Sequence, residues 1–208
     1  SLKIIHTPDS ISMDELPIKA MVNKPNASIL VAASLVSDGK ADALVSAGST
    51  GSVVLSAAKH ISRIPSVKRP AIATVYPTLN EFKRDDHLAL MVDIGANVES
   101  SAQELVQFAI MGSTYVTKVR GVVSPKSALL NMGEEETKGS EKMQTTYRML
   151  KEIPSINFSG NIEGKDILRG LVDVIVTEGF VGNIVIKTLE GTAMAATHLG
   201  KLAFRARF

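Results

Sequence analysis

Short apolar runs alternate with longer stretches of helical period along this 208-residue chain. The runs fall at 43–46, 71–76, 88–94, 128–131, 156–159 and 172–177, and most are near-continuously apolar. A strand with one wet face alternates apolar and polar residues, whereas an unbroken run suits a strand covered on both faces. Between the runs, Leu105, Phe108, Ala109, Gly112, Tyr115, Val116 and Val119 keep the spacing of one helical stripe. A second helix is predicted over 140–151, with Met143, Tyr147 and Leu150 on one side. Another carries Val53, Val54, Ala57 and Ile61, and a last one opens near 179. This βαβα order predicts the α/β class: a three-layer α/β/α arrangement, a mostly parallel sheet, helices on both faces and right-handed crossovers. No linker or low-complexity segment divides the chain, so one domain over 1–208 is expected.

Ligands of such sheets bind beyond the carboxyl ends of the strands, so the segments just after each run are the ones to read for chemistry. They are rich in small and polar residues: Ala47-Gly48-Ser49-Thr50-Gly51, Asp93-Ile94-Gly95-Ala96-Asn97, Met132-Gly133 through Lys138-Gly139, Gly160-Asn161-Ile162-Glu163-Gly164, and Glu178-Gly179-Phe180-Val181-Gly182-Asn183. The expectation is that these five loops share one rim. Residues 45–51 and 176–182 also share a V-x-x-G-x-x-G pattern, read as convergent strand-to-helix geometry.

Composition narrows the partners. With 45% hydrophobic and 21% charged residues, the chain has ample material for a core. Aromatics make up 4% and tryptophan is absent, which argues against a stacking platform for single-stranded nucleic acid. A formal net charge of +2 gives no reason to invoke nucleic acid. The absence of cysteine excludes disulfides, cysteine zinc sites and a thiolate nucleophile. No signal peptide is visible at the start, and no apolar run approaches the ~20 residues of a membrane span, so a cytoplasmic protein is expected. His6, His60, His87 and His198 lack ligand or triad spacing, and no metal or cofactor site is expected.

Gly48-Ser49-Thr50-Gly51 opens a predicted helix, whose N–H groups and positive dipole end suit an anion. The same residues serve equally as an N-cap and a tight turn. The loop lacks the Gly-Lys-Ser/Thr ending of a Walker loop and the G-x-G start of a dinucleotide fingerprint. Glu134-Glu135-Glu136-Thr137-Lys138 reads as a solvated loop, but its place after a buried strand would let Lys138 hold a phosphate or a developing oxyanion. Asn183 is placed to orient a carbonyl or phosphate, Phe180 reads as a hydrophobic anchor, and Asp93 reads as a cap of its loop. Basic residues cluster at Arg63, Lys68 and Arg69 and again at Lys83 and Arg84, as a solvated surface or a landing site for an acidic protein.

Taken in order, these segments resemble the PlsX-type phosphate acyltransferases of bacterial phospholipid synthesis. The resemblance runs from about Ile4 to about Ala193. It rests on 41–51, 69–73, 92–98, 107–113, 129–133, Lys138-Gly139, 156–164 and 178–183. It implies a fold similar to the isocitrate and isopropylmalate dehydrogenases and the phosphotransacetylases. It also implies transfer of a fatty acyl group from acyl carrier protein to inorganic phosphate, without a cofactor, by a homodimer loosely attached to the inner membrane face. The acyl phosphate would pass to a membrane glycerol-3-phosphate acyltransferase. Family members usually begin with a strand and a Met-Gly-Gly-Asp loop and continue past the last helix, so a chain truncated at both ends is expected, with 194–208 as an atypical tail. Glu134 stands where the family commonly has Thr, and Glu178 where Asp is usual.

Under that resemblance, phosphate would sit on the N–H groups of Gly48, Ser49, Thr50 and Gly51. Lys138, with Asn131 and Asn183, would serve the reaction, and Asp93, Asn97, Asn161, Gly179 and Gly182 would line the substrate rim. Phosphate is already an anion at neutral pH and a thiolate leaves readily, so positioning and oxyanion stabilisation suffice for the chemistry. Two other readings stand beside this one: a non-catalytic module that binds acyl carrier protein or scaffolds lipid enzymes, and a nucleotide-linked dehydrogenase on a related sheet. Lys201, Arg205 and Arg207 alternate with Leu202, Phe204 and Phe208, which suits contact with anionic lipid as well as a dimer contact or a frayed end.

Overall fold

The computed structural model describes residues 2–81 and 86–205. Lys83 and Arg84 of the second basic cluster, and Arg207 and Phe208 of the tail, lie outside the described residues. The chain divides into two compact units, residues 1–70 and 71–208.

The first unit is helical: α1 (Pro17–Asn23), α2 (Ser28–Ser37) and α3 (Thr50–His60). Pro17 starts α1, where its missing N–H costs nothing. Met21, Ala27 and Leu30 form the small core, with Leu55 of α3 against it. The strand expected at 43–46 is not formed. The segment is irregular and Val45 is 94% exposed. An apolar run becomes a strand only when it finds a ladder partner, and the sheet of the second unit does not include it.

The second unit holds a five-stranded sheet in the order β1-β2-β5-β3-β4. The strands are β1 (Ala73–Pro77), β2 (Leu88–Val92), β3 (Lys126–Leu130), β4 (Asn157–Ile162) and β5 (Val174–Val176). β2, β5, β3 and β4 run parallel, while β1 pairs antiparallel with β2 at the edge and ends on Pro77, a residue an edge strand tolerates. Alternate residues of the central strands feed two separate cores. Leu90, Val92, Leu129, Val174 and Val176 meet α4 (Ala102–Arg120) and α5 (Glu141–Lys151) on one face. Ala89, Met91, Ala128, Leu130 and Ile175 meet the 3₁₀ helix Gly164–Arg169 and α6 (Gly179–Arg205) on the other. The result is the expected three-layer α/β/α arrangement, and it explains why the strand sequences lack polar alternation.

Local chemistry sets the helix ends. Ser101 and Glu104 form a reciprocal capping box at the start of α4, and Gly121 ends it in the left-handed region at φ 74°. The buried stripe of α4 is Leu105, Val106, Phe108, Ala109, Gly112, Ser113 and Val116. Tyr115 and Val119, assigned to it from periodicity, are exposed, because the contact face turns slowly around the helix and reaches Ser113 instead. Gly112 lets α4 lie close on the sheet, since a Cβ there would sit 2.7 Å from Val174 Cγ1.

Candidate active site

Parallel strands end on the same side, and here the register fixes it: Val92 and Leu129 both pair with Val176, and Leu130 pairs with Ile162. Loops 93–97, 131–139, 163–164 and 177–182 therefore share the carboxyl rim of the sheet. After β3 the chain turns to α5 on one face, and after the neighbouring β5 it turns to α6 on the other. Such a divergence between adjacent strands opens a crevice at the topological switch point. The fifth glycine loop, 48–51, follows no strand and belongs to the first unit.

At the foot of the rim lies Asp93, fully buried, after a cis peptide bond with Val92. Its Oδ1 accepts from the backbone N–H groups of Ile72 (3.0 Å), Gly95 (3.1 Å) and Ala96 (3.0 Å). Its Oδ2 accepts from Asn97 N (2.8 Å) and Asn97 Nδ2 (2.9 Å). A carboxylate held by so many donors organises its loop and has little capacity left for a ligand. The first turn of α6 packs against this knot. A Cβ on Gly179 would overlap Asn97 O and Asp93 Oδ2, and one on Gly182 would overlap Asp93 O. Asn183 Nδ2 adds a hydrogen bond of 3.3 Å to Ile94 O. Gly179 and Gly182, expected on the substrate rim, allow close backbone packing around Asp93 and Asn97.

Beside it, at the end of the central strand β5, the half-buried Glu178 carboxylate binds two groups from the opposite face. Lys142 Nζ of α5 donates to Glu178 Oε1, and Ser100 N donates to the same oxygen at 3.1 Å. The Ser100 hydroxyl is buried and has no hydrogen-bond partner among the described residues. These residues escaped the sequence reading, which did not single out Lys142 and took Glu178 only as part of its loop and a departure from the family. The signal available was position: Lys142 stands two residues after the Ser140 N-cap, facing the strand ends.

The loop 131–139 closes the other side of the crevice and is clamped by two asparagines. Asn131 Nδ2 donates to Lys138 O (3.1 Å), and Asn161 Nδ2, from β4, donates to Glu135 O (2.9 Å). Gly139, at φ +81°, leaves room for Asn131, whose Oδ1 is 2.6 Å from where a Cβ would stand. Lys138 is exposed, its stem lies over Gly133, and its ammonium is 4.0 Å from Glu135. The carboxylate run is neutralised locally: Glu136 meets Lys151 at 3.3 Å and Glu134 meets Lys165 at 3.9 Å. The hydrogen-bonded Glu163 carboxylate, helped by Asp166 and Glu134, holds the Lys165 ammonium above the ordinary lysine range.

In the first unit, Gly48 N donates to Ser46 Oγ at 3.1 Å and α3 begins at Thr50. The Ser49 side chain makes no capping bond, and residues 50 and 51 are exposed. Among the described residues, no group of His, Asp and Glu is arranged to hold a metal ion, and no helix is long and apolar enough to cross a membrane.

Known proteins match this chain along its length. It is 47% identical over 192 residues to a phosphate acyltransferase of Dictyoglomus thermophilum, covering 92% of this chain and 56% of that protein. A phosphate acyltransferase of Heliobacterium modesticaldum is 50% identical over 194 residues, covering 93% and 56%. One from Streptococcus pneumoniae is 43% identical over 202 residues, covering 97% and 60%. The chain therefore spans a little over half the length of these relatives. Its fold is similar to a phosphotransacetylase from Streptococcus pyogenes, with TM-score 0.64 and 18% identity over 88% of this chain and 63% of that one. The EutD phosphotransacetylase from Staphylococcus aureus gives 0.59 and 23%, over 86% and 59%. The family described as fatty acid synthesis protein matches residues 1–208, and the chain belongs to it.

Proposed function

We propose that the protein to which this chain belongs transfers a fatty acyl group from the thioester of acyl carrier protein to inorganic phosphate, giving an acyl phosphate for phospholipid synthesis. The observation that carries this reading is the shared rim, where polar loops from four parallel strands meet at the switch point between β3 and β5. The activity named for relatives 43–50% identical tells which reaction to ascribe to it.

A phosphate oxygen attacks the thioester carbonyl, the C–O bond forms, and the C–S bond breaks as the carrier's thiolate departs. The nucleophile needs no strong base and the leaving group little acid, so the protein's contribution is to hold the phosphate anion against the thioester carbonyl and to meet the negative charge that develops on the carbonyl oxygen. Lys138 and Lys142 supply positive charge at the rim. Asn131 and Asn161 fix the loop that carries Lys138, and Asp93, with Asn97, Gly179, Gly182 and Asn183, fixes the start of α6. The exposed turn 48–51 is our candidate for a phosphate contact within the first unit, supported by its glycines and by the uncommitted Ser49 side chain. The remaining partners in this reading are a second copy of the chain, the inner membrane face and a membrane glycerol-3-phosphate acyltransferase.

The test is a phosphate-dependent assay of the full-length protein on an acyl carrier protein thioester, with acyl-CoA for comparison. Acyl phosphate formation that saturates with phosphate is expected; thioester hydrolysis or silence in every phosphate concentration would defeat the proposal.

A further inference from the structure

Where α6 crosses the edge of the sheet, the second unit carries a groove that the rim chemistry does not use. Thr74 and Tyr76 of β1 form one wall, and Ile186, Leu189, Ala193 and Ala196 of α6 form the other, around a space of about 390 Å³. Both walls start at the rim. β1 begins at Ala73, opposite Val92, and Ile72 just before it donates its N–H to Asp93 Oδ1. α6 begins at Gly179, and Gly182, one turn before Ile186, packs on the Asp93 backbone. From there strand and helix descend together. β1 ends at Pro77, opposite the first residue of β2. The helical wall from Ile186 to Ala196 spans about 15 Å at 1.5 Å per residue.

These walls hold little for a polar ligand. The Tyr76 hydroxyl donates to Ile167 O at 3.4 Å. Glu190, the one charged residue among those lining the groove, is paired with Lys187 at 2.8 Å. The volume falls within the ~300–1,000 Å³ usual for small-molecule sites, and an apolar lining selects an apolar body. The upper end lies one helical turn from the Asp93 loop, so a ligand reacting at the rim can lay an apolar tail along α6. We propose, resting on the reading above, that this groove takes the hydrocarbon chain of the acyl group. The thioester carbonyl stays at the rim, and the chain runs down between β1 and α6, covering the exposed Ala193 and Ala196. Each methylene buried is worth a factor of about four in affinity, so the depth of the groove sets the preferred chain length.

The test uses the full-length protein with A193F and A196F, which place a ring in the groove at successive distances from the rim. kcat/KM is measured on acyl carrier protein thioesters of increasing chain length. Wild type should gain about fourfold per added methylene until the groove is full. A193F should lose about tenfold on long chains and stay within twofold on the shortest. A196F should lose activity only on chains longer than those at which A193F first fails. One chain-length profile shared by all three proteins, or equal losses at every length, would overturn the proposal. Calorimetric titration with hexyl, octyl and decyl phosphate separates the groove from the reaction. Binding that strengthens with chain length and is lost in A193F supports the groove even where no acyl phosphate forms. Acyl phosphate formation with an unshifted profile in A193F removes the groove and leaves the reaction standing. If A193F instead changes the oligomeric state by sedimentation with its profile unmoved, the face belongs to a second copy of the chain and the proposal falls.

Discussion

Asp93 shows how a single side chain sets the shape of the rim. Its oxygens gather the N–H groups of Ile72, Gly95, Ala96 and Asn97, and Gly179 and Gly182 let the α6 backbone approach that knot. Gly182→Ala should therefore lower stability by about 1–3 kcal/mol, the usual cost of overpacking, read as a lower urea midpoint with an unchanged slope. Lys142 is tested differently, because it sits partly exposed and its bond to Glu178 is polar. Lys142→Met should lower kcat for acyl phosphate formation by about 100-fold, in line with losing one charge-stabilising group. A kcat within twofold of wild type would remove Lys142 from the chemistry. The sequence foretold the location of these residues better than their work. Asp93 was legible as a loop cap because it ends an apolar run. Gly179 and Gly182 were legible as rim residues, but the close approach of the α6 backbone that requires them to be glycine was not, and Lys142 was hidden because a lysine in a first helical turn looks like solvent.

Among the elements, β2, β3 and β5 were legible because their two cores leave no polar alternation in the sequence. The run at 43–46 has the same look and fails, since pairing is a property of two segments and a single run carries only half of it. The loop 131–139 is held at Asn131 and Asn161, so its geometry depends on Gly139 at φ +81°. Gly139→Ala should cost about 1–3 kcal/mol in strain and contact, and should lower kcat by loosening Lys138, measured on protein shown by circular dichroism to be folded. A second element prediction concerns α6. Its first turns contribute Val185, Ile186 and Leu189 to the core, while residues 191–204 are all exposed. Amide hydrogen exchange should be slow up to Leu189 and become progressively faster beyond it, since exposed helix ends open locally. Uniform protection through residue 204 would mean that another surface covers this half of the helix.

For the second unit as a whole, the α/β/α layering and the parallel order put four polar loops on one edge, and the acyl-transfer reading rests on that placement. The fold class was readable from the alternation of apolar runs and helical stripes. The partition at residue 70 was not, because no change of composition marks it. The most direct test is an amide NMR titration of the full-length protein with inorganic phosphate. The account predicts saturable shifts at residues 131–139 and 178–183, reduced in Lys142→Met. Shifts confined to other surfaces, or none at saturating phosphate, would contradict it.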